Sequence, residues 1–197
     1  MEPVTLTGRV VRLEPLGLAH HADLLRVALE PSLWKYTWSA VSNAEDLESY
    51  IKTALLEQAA GRSLPFATID LDSGRAIGST RYGNIEPAHR RLEIGWTWLG
   101  TAYQRTGANT EAKLLQLTHA FETLKYQRVE FKTDATNEAS RAALLRIGAT
   151  FEGIFRKHGV AAGGRIRDTA WYSIIDDDWP VAKQKLVGAL KRRSVEA

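Results

Sequence analysis

This sequence predicts an α/β (α+β) domain, and three observations carry the prediction. Runs with strand and helix periods follow one another in the order β α α β β β α β α β β α. No repeat, low-complexity tract or linker divides the chain. At 197 residues it has the length of one domain and can bury a substantial core. We therefore expect one domain over 1–197, with a core over about 6–175 and a helical tail over 177–193.

Residues 8–14, GRVVRLE, alternate Val11 and Leu13 with Arg12 and Glu14, a strand ended by Pro15. A helix over about 18–29 turns Leu18, Leu24, Leu25 and Ala28 inward, with Pro31 beyond its end. His20 and His21 at its start are sequence neighbours that do not share a helix face, so no metal site is predicted there. Trp34, Tyr36 and Trp38 recur with period two. They read either as a core or edge strand or as the aromatic wall of a substrate pocket. Ser42-Asn43-Ala44-Glu45 has capping-box spacing and opens a helix that buries Leu47, Tyr50, Ile51, Ala54 and Leu55 and ends at Gly61. Strands over 64–71 and 76–84 flank Asp72-Ser73-Gly74-Arg75, a hairpin signal.

The chain is organised around residues 92–124. The strand over 92–99 places Ile94, Trp96 and Trp98 on one side of the pleat, with Glu93, Gly95 and Thr97 on the other. The helix from about Ala108 carries a wide apolar stripe through Ala112, Leu114, Leu115, Leu117, His119, Ala120, Phe121 and Leu124. Gln104-Arg105-Thr106-Gly107-Ala108-Asn109-Thr110 lies between them. Unpaired amides at a helix start suit an anion such as a phosphate, and Gly107 permits a positive φ. The plainer reading is a helix cap by Thr106 or Asn109.

Further on, 128–133 alternates Val129 and Phe131 as a strand. Asn137 starts a helix with Ala143, Leu144 and Ile147 inward and Gly148 at its end. Strands over 150–156 and 168–175 enclose the loop Ala161-Ala162-Gly163-Gly164. A short helix follows, with Val181, Leu186, Val187 and Leu190 at helical spacing behind Trp179.

Composition removes several function classes. Hydrophobic residues at 44% and charged residues at 25% leave no reason for a disordered or fibrous class. A net charge of 26 − 23 = +3 is too mild to argue for nucleic-acid binding. With no cysteine, a thiol nucleophile, a disulfide and a thiolate zinc site are all excluded. The chain starts Met1-Glu2-Pro3-Val4 without a secretion pattern, and no apolar run approaches ~20 residues. The expectation is a cytoplasmic protein with no membrane, nucleic-acid or metal partner. An exposed sheet edge at the C-terminal strands offers a homodimer.

The element order, with Gln104-x-x-Gly107-x-Asn109 between the fourth strand and its helix, resembles the GNAT superfamily of N-acetyltransferases. Asn137-x-x-Ser140, Ile147-Gly148-Ala149 and Phe151-Glu152-Gly153 are similar to the RimJ/RimL group within it. Three positions depart from the pattern. Asn109 stands where the family has Gly or Ala, Ala149 departs from the common Gly-Phe pair, and Leu144 stands where many members carry a tyrosine acid. The resemblance implies a mixed, mostly antiparallel sheet of about seven strands, splayed between the fourth and fifth, with helices on both faces. It implies acetyl-CoA as co-substrate and a primary amine as acceptor, either a protein N-terminus or a small molecule.

The resemblance also places the pantetheine along the fourth strand, including Trp98 and Leu99, with a hydrogen bond from Asn137. The phosphates fall on the loop, Gln104, Arg105, Thr106, Gly107, Ala108, Asn109 and Thr110. Glu93 is the one carboxylate inside the central strand and the candidate general base; otherwise it pairs with an arginine such as Arg91 or Arg81. Ser140 is the candidate partner of the departing sulfur. Trp34, Tyr36, Trp38 and Trp96 are the candidate substrate-binding residues. The competing class is a non-catalytic acyl-CoA-binding or sensing domain.

Overall fold

The computed structural model describes residues 1–196, with side chains over 1–192. Among these described residues eight strands form: β1 (Leu6–Thr7), β2 (Val11–Pro15), β3 (Ser63–Asp70), β4 (Ala76–Glu86), β5 (Arg91–Leu99), β6 (Arg128–Asp134), β7 (Thr150–Val160) and β8 (Ile166–Ile175). Five α-helices accompany them: α1 (His21–Ala28), α2 (Ala44–Ala59), α3 (Ala108–Thr118), α4 (Glu138–Arg146) and α5 (Trp179–Glu196). All the strands join one sheet in the order β1-β2-β3-β4-β5-β6-β8-β7. Every neighbouring pair is antiparallel except β5 and β6. The strand beyond the expected seven is β1, whose two residues are too few to show a period.

Two cores lie on the two faces of this sheet. On one face, α3, α4 and α5 cover Val11, Leu13, Phe66, Tyr82, Leu92, Ile94, Val129 and Phe131. On the other, α1 and α2 cover Ala67, Ile69, Ala76 and Trp98 with Leu24, Leu47 and Ile51. Among the described residues no helix is long and apolar enough to cross a membrane.

Several local expectations are corrected. The 18–29 helix begins as a 3-10 turn over Leu18–His20, and Leu18 faces solvent. The cap of α2 is Asn43, whose Oδ1 accepts from Asp46 N at 2.8 Å; Ser42 instead binds the Asp46 carboxylate. The 34–38 segment is not a strand. Trp34 Nε1 donates to Ala28 O at 2.7 Å, which folds the segment back onto α1. The C-terminal helix is not short: α5 runs for 18 residues. It turns Ala182 and Leu186 inward and leaves Val181 exposed.

The apolar stripe expected on α3 is interrupted by buried Glu111, Lys113 and Gln116. Glu111 accounts for itself. Its carboxylate accepts from the amides of Arg9, Val10 and Val11 at 2.9, 2.6 and 2.8 Å. These are charge-assisted bonds to the turn between β1 and β2, and they tie α3 to that edge of the sheet. Glu111→Ala leaves three amides short of an acceptor. We expect it to cost about 3 kcal/mol, seen as a Tm lower by roughly 6–12 °C in a thermal melt.

Candidate active site

The site begins with a mismatch in strand pairing. On β5, Gly95 pairs with Arg81 and Trp98 with Ser79. Two residues, Trp96 and Thr97, therefore oppose the single Thr80 of β4. This is a β-bulge, and Trp96 takes a left-handed φ of 49°. The bulge reverses the phase of the pleat. Ile94 lies in the core beneath α3, while Trp98 lies in the core beneath α2. The expected common side for Ile94, Trp96 and Trp98 is thus overturned. Thr97 crosses to the α3 face, where its hydroxyl meets Thr80 and Lys113.

On its other edge β5 loses its partner. It pairs with β6 only at Arg91–Arg128, Leu92–Val129 and Glu93–Glu130. Beyond Glu93 the two parallel strands part. The predicted splay falls here, between the fourth and fifth strands once the two-residue β1 is set aside. The slot therefore opens alongside the bulge.

The loop after β5 delivers α3 to the mouth of this slot. Gln104 Nε2 donates to Leu99 O at 3.1 Å, and Thr106 Oγ1 donates to Tyr103 O at 2.7 Å. Ala108 N in turn donates to Thr106 Oγ1 at 3.2 Å, so Thr106 takes up the first helical amide, while Gly107 holds the N-cap position without a side-chain cap. The first helical bond of α3 is Glu111 N to Gly107 O. The amides of Asn109 and Thr110 precede it and have no acceptor within the helix. The positive φ in this loop belongs to Arg105, at 59°, while Gly107 is right-handed at −69°. A Cβ on Gly107 would meet only Leu190 and Val10 at 3.7 Å, so the glycine gives the mouth low relief rather than an unusual turn. Asn109 Oδ1 is buried without a partner. Donors at the positive end of a helix beside an open slot fit a diphosphate.

On the α2 face, Glu93 is 5% exposed. Its Oε2 accepts from Asn84 Nδ2 at 2.6 Å and pairs with Lys132 Nζ at 2.7 Å. Neither arginine considered from the sequence is its partner: Arg91 pairs with Glu130, and Arg81 with Glu57. Oε1 points up the strand, 2.8 Å from where a Cβ on Gly95 would stand. Any side chain at 95 would push the carboxylate away from the bulge. Across the slot, Asn137 caps α4 by accepting from Ser140 N at 3.1 Å, and Ser140 lies half-buried in the first turn.

The four candidate substrate residues do not gather in one place. Trp34 is packed among Tyr50 and Trp98 in the second core. Trp96 lies against Gly83 and beneath Arg81. The Tyr36 carbonyl accepts from Arg167, and the Trp38 ring lies on Gly159 and beside His158. Around Trp38 the structure adds residues that the sequence reading missed. His158 meets Phe155 and Trp171 edge-on, and Lys132 Nζ sits 4.0 Å from the Trp171 ring centre. These side chains line the sheet past the slot, on the same face as Glu93. Opposite charges at Glu93 and Lys132 were visible in the sequence; the parallel register that joins them was not.

A family model described as an acetyltransferase (GNAT) domain matches residues 11–150. The chain belongs to the GNAT acetyltransferase family. This GNAT domain is 34% identical to a GCN5-related N-acetyltransferase from Brucella melitensis. That likeness covers 96% of this chain and 86% of that one, with a TM-score of 0.89. It is 26% identical to Mycobacterium smegmatis RimJ, solved in complex with CoA-disulfide, over 95% of both chains, with a TM-score of 0.81. A third relative is YdaF of Bacillus subtilis (strain 168), whose name provisionally assigns ribosomal N-acetylation. It is 33% identical over 55% of this chain, and the match spans 58% of YdaF.

The β7–β8 hairpin is tied to the loop before α4 by Asp134, which accepts from Thr136 and from Arg165. Burial raises the Asp134 pKa, but the bonds from Arg165 and Thr136 outweigh it and hold the carboxyl below its ordinary 3.8. A depressed carboxyl stabilises the fold above its unfolded value and loses that contribution as pH falls through the folded value. Asp134→Asn is therefore expected to be less stable than the parent at neutral pH. The gap should narrow as pH falls below the ordinary 3.8 and through the depressed folded value, as read by denaturant melts across pH.

Proposed function

We propose that this GNAT domain transfers an acetyl group from acetyl-CoA to a primary amine by direct attack in a ternary complex. A protein N-terminal α-amine is the acceptor that we favour. The observation that carries the reading is the slot between β5 and β6, opening beside the bulge and below the start of α3. The RimJ likeness and the ribosomal assignment in the name of YdaF support a protein acceptor. An α-amine has an ordinary pKa of about 7.7–8.0 and is partly neutral near pH 7, whereas a lysine amine at about 10.4 is not.

In this reading the diphosphate of acetyl-CoA lies on the α3 amides and the loop over 104–110. The pantetheine follows β5 past Trp98 and Leu99. The Trp98 side chain is buried in the second core, so its share of the contact is through the main chain. The acceptor enters on the Glu93 face, past Trp38, His158 and Trp171. Its nitrogen attacks the thioester carbon and the C–S bond breaks. The amine proton passes to Glu93 Oε1, directly or through a water. A β5 amide freed at the bulge stabilises the developing oxyanion, a contribution of about 3 kcal/mol for a preorganised donor. Leu144 supplies no acid, so the Ser140 hydroxyl stabilises the departing thiolate.

The test is thiol release from acetyl-CoA against a panel of N-terminal peptides and small amines. Release with a peptide α-amine supports the assignment. Binding of acetyl-CoA without turnover on any amine would instead identify the acyl-CoA-binding domain. Glu93→Gln is expected to lower kcat by about 10²–10³-fold, most strongly at low pH where free amine is scarce. Ser140→Ala should slow turnover by about tenfold with little change in acetyl-CoA affinity. An unaltered kcat in either variant removes that residue from the mechanism.

A further inference from the structure

The proposed reaction leaves a buried amine unused. Lys113, on the second turn of α3, is only 5% exposed. Its Nζ turns inward and donates to Thr97 Oγ1 at 2.7 Å, Thr80 Oγ1 at 3.3 Å and Gln116 Oε1 at 3.4 Å. All three partners are neutral. Among the described residues no carboxylate pairs with this amine, and burial is the one cause acting on it.

The titratable groups around it are otherwise engaged. On α3, Glu111 is turned to the β1–β2 amides, and His119 is stacked on Tyr82. From β4, Tyr82 donates its hydroxyl to Gln116 O at 2.6 Å. From β5, Glu93 lies on the opposite face with Lys132 and Asn84. A long apolar side chain would fill the space occupied by Lys113 without the cost of burying an amine.

The hydrogen-bonded group has one open end. Thr97 is exposed, follows the bulge directly, and accepts the shortest bond that Lys113 makes. When Lys113 is an ammonium, the Thr97 oxygen is held as an acceptor. Its hydroxyl hydrogen is then left to Thr80 Oγ1 or to a long 3.4 Å bond to Gly95 O, either of which it can exchange for a group in the slot. The negative charge that the slot would receive falls about one helical turn away, at the amides of Asn109 and Thr110.

We propose that Lys113 is a positioning residue that becomes protonated as the anionic cofactor binds, acting on the slot through the Thr97 hydroxyl. The inference rests on reading the slot as the acetyl-CoA site. Burial lowers the Lys113 pKa to about 7, so the free protein carries it half-charged at neutral pH. A diphosphate nearby favours the ammonium and raises that value. The sign of the linkage follows: binding takes up a proton, and affinity weakens as pH rises through 7 to 9.

The experiment is calorimetric titration of the full chain with coenzyme A at pH 8, in buffers of different ionisation enthalpy. Phosphate monoesters titrate near 6, so the cofactor's own phosphate contributes little at that pH. The wild type should take up a fraction of a proton, and Lys113→Met should lose it. The variant's affinity should also flatten between pH 7 and 9, where the wild type weakens by roughly three- to tenfold. Its Tm should match or exceed the wild type's, because a buried charge has gone. Thr97→Val, a change at an exposed position, should retain the uptake and bind coenzyme A several-fold more weakly. Equal proton counts in wild type and Lys113→Met overturn the proposal. So does zero uptake by the wild type at pH 8, which needs no variant to fold. Failure of coenzyme A to bind at any pH overturns the reading of the slot as well, whereas binding without uptake removes only the role of Lys113.

Discussion

The structure depends on one constraint: β5 must stay paired to β4 along its length while giving up β6 after three residues. A sheet that parts in its middle loses main-chain hydrogen bonds on two edges at once, and buried amides and carbonyls left without partners are costly. The chain tolerates this because the parting strands are anchored elsewhere. β5 remains zipped to β4 on both sides of the bulge. β6 is paired with β8 over all seven of its residues, from Arg128 to Asp134. Arg128 closes the narrow end by binding Glu130 on its own strand and Glu152 on β7. The opening is held from outside, so nothing has to fill it for the fold to persist.

The helix that overlooks this opening is not a simple amphipathic one. α3 buries an acid on one flank and an amine on the other, and the two never meet. Glu111 is satisfied by three amides of the β1–β2 turn, while Lys113 finds only hydroxyls and an amide oxygen. The first arrangement fixes where the helix starts relative to the sheet. The second leaves a charge that can change with what occupies the neighbouring slot. The π-helical turn over His119–Thr123 follows at the far end and packs Phe121 against Trp179 of α5. In this way α5 is coupled to the same element.

Much of the architecture was legible because alternation and helical spacing are dictated by burial on one face. The β7–β8 pair, the β3–β4 hairpin and the helices α2 and α4 all announced themselves through period and punctuation. The loop before α3 and the capping role of Asn137 were legible for a related reason: orphan amides need small polar neighbours. What stayed hidden depended on residues far apart in the chain. The bulge at Trp96 needs the register of β4, and the Glu93–Lys132 pair needs the register of β6. The burial of Lys113 needs the position of Thr97 after the phase reversal. A lysine at position 113 reads as an ordinary solvent-facing residue until that reversal is known. Trp34 misled for the opposite reason: its period-two spacing with Tyr36 and Trp38 is real, but a hydrogen bond to Ala28 governs the segment.

The position of α5 has a practical consequence. Leu190, late in that helix, stands beside Gly107 together with Val10 from the opposite end of the chain. The backbone continues as helix to Glu196, about 9 Å further at 1.5 Å per residue. Val10 and Leu190 therefore both wall the rim where the helix amides are presented. Bulk added at Val10 or Leu190 would crowd the approach to those amides, so two segments far apart in the sequence set the clearance there.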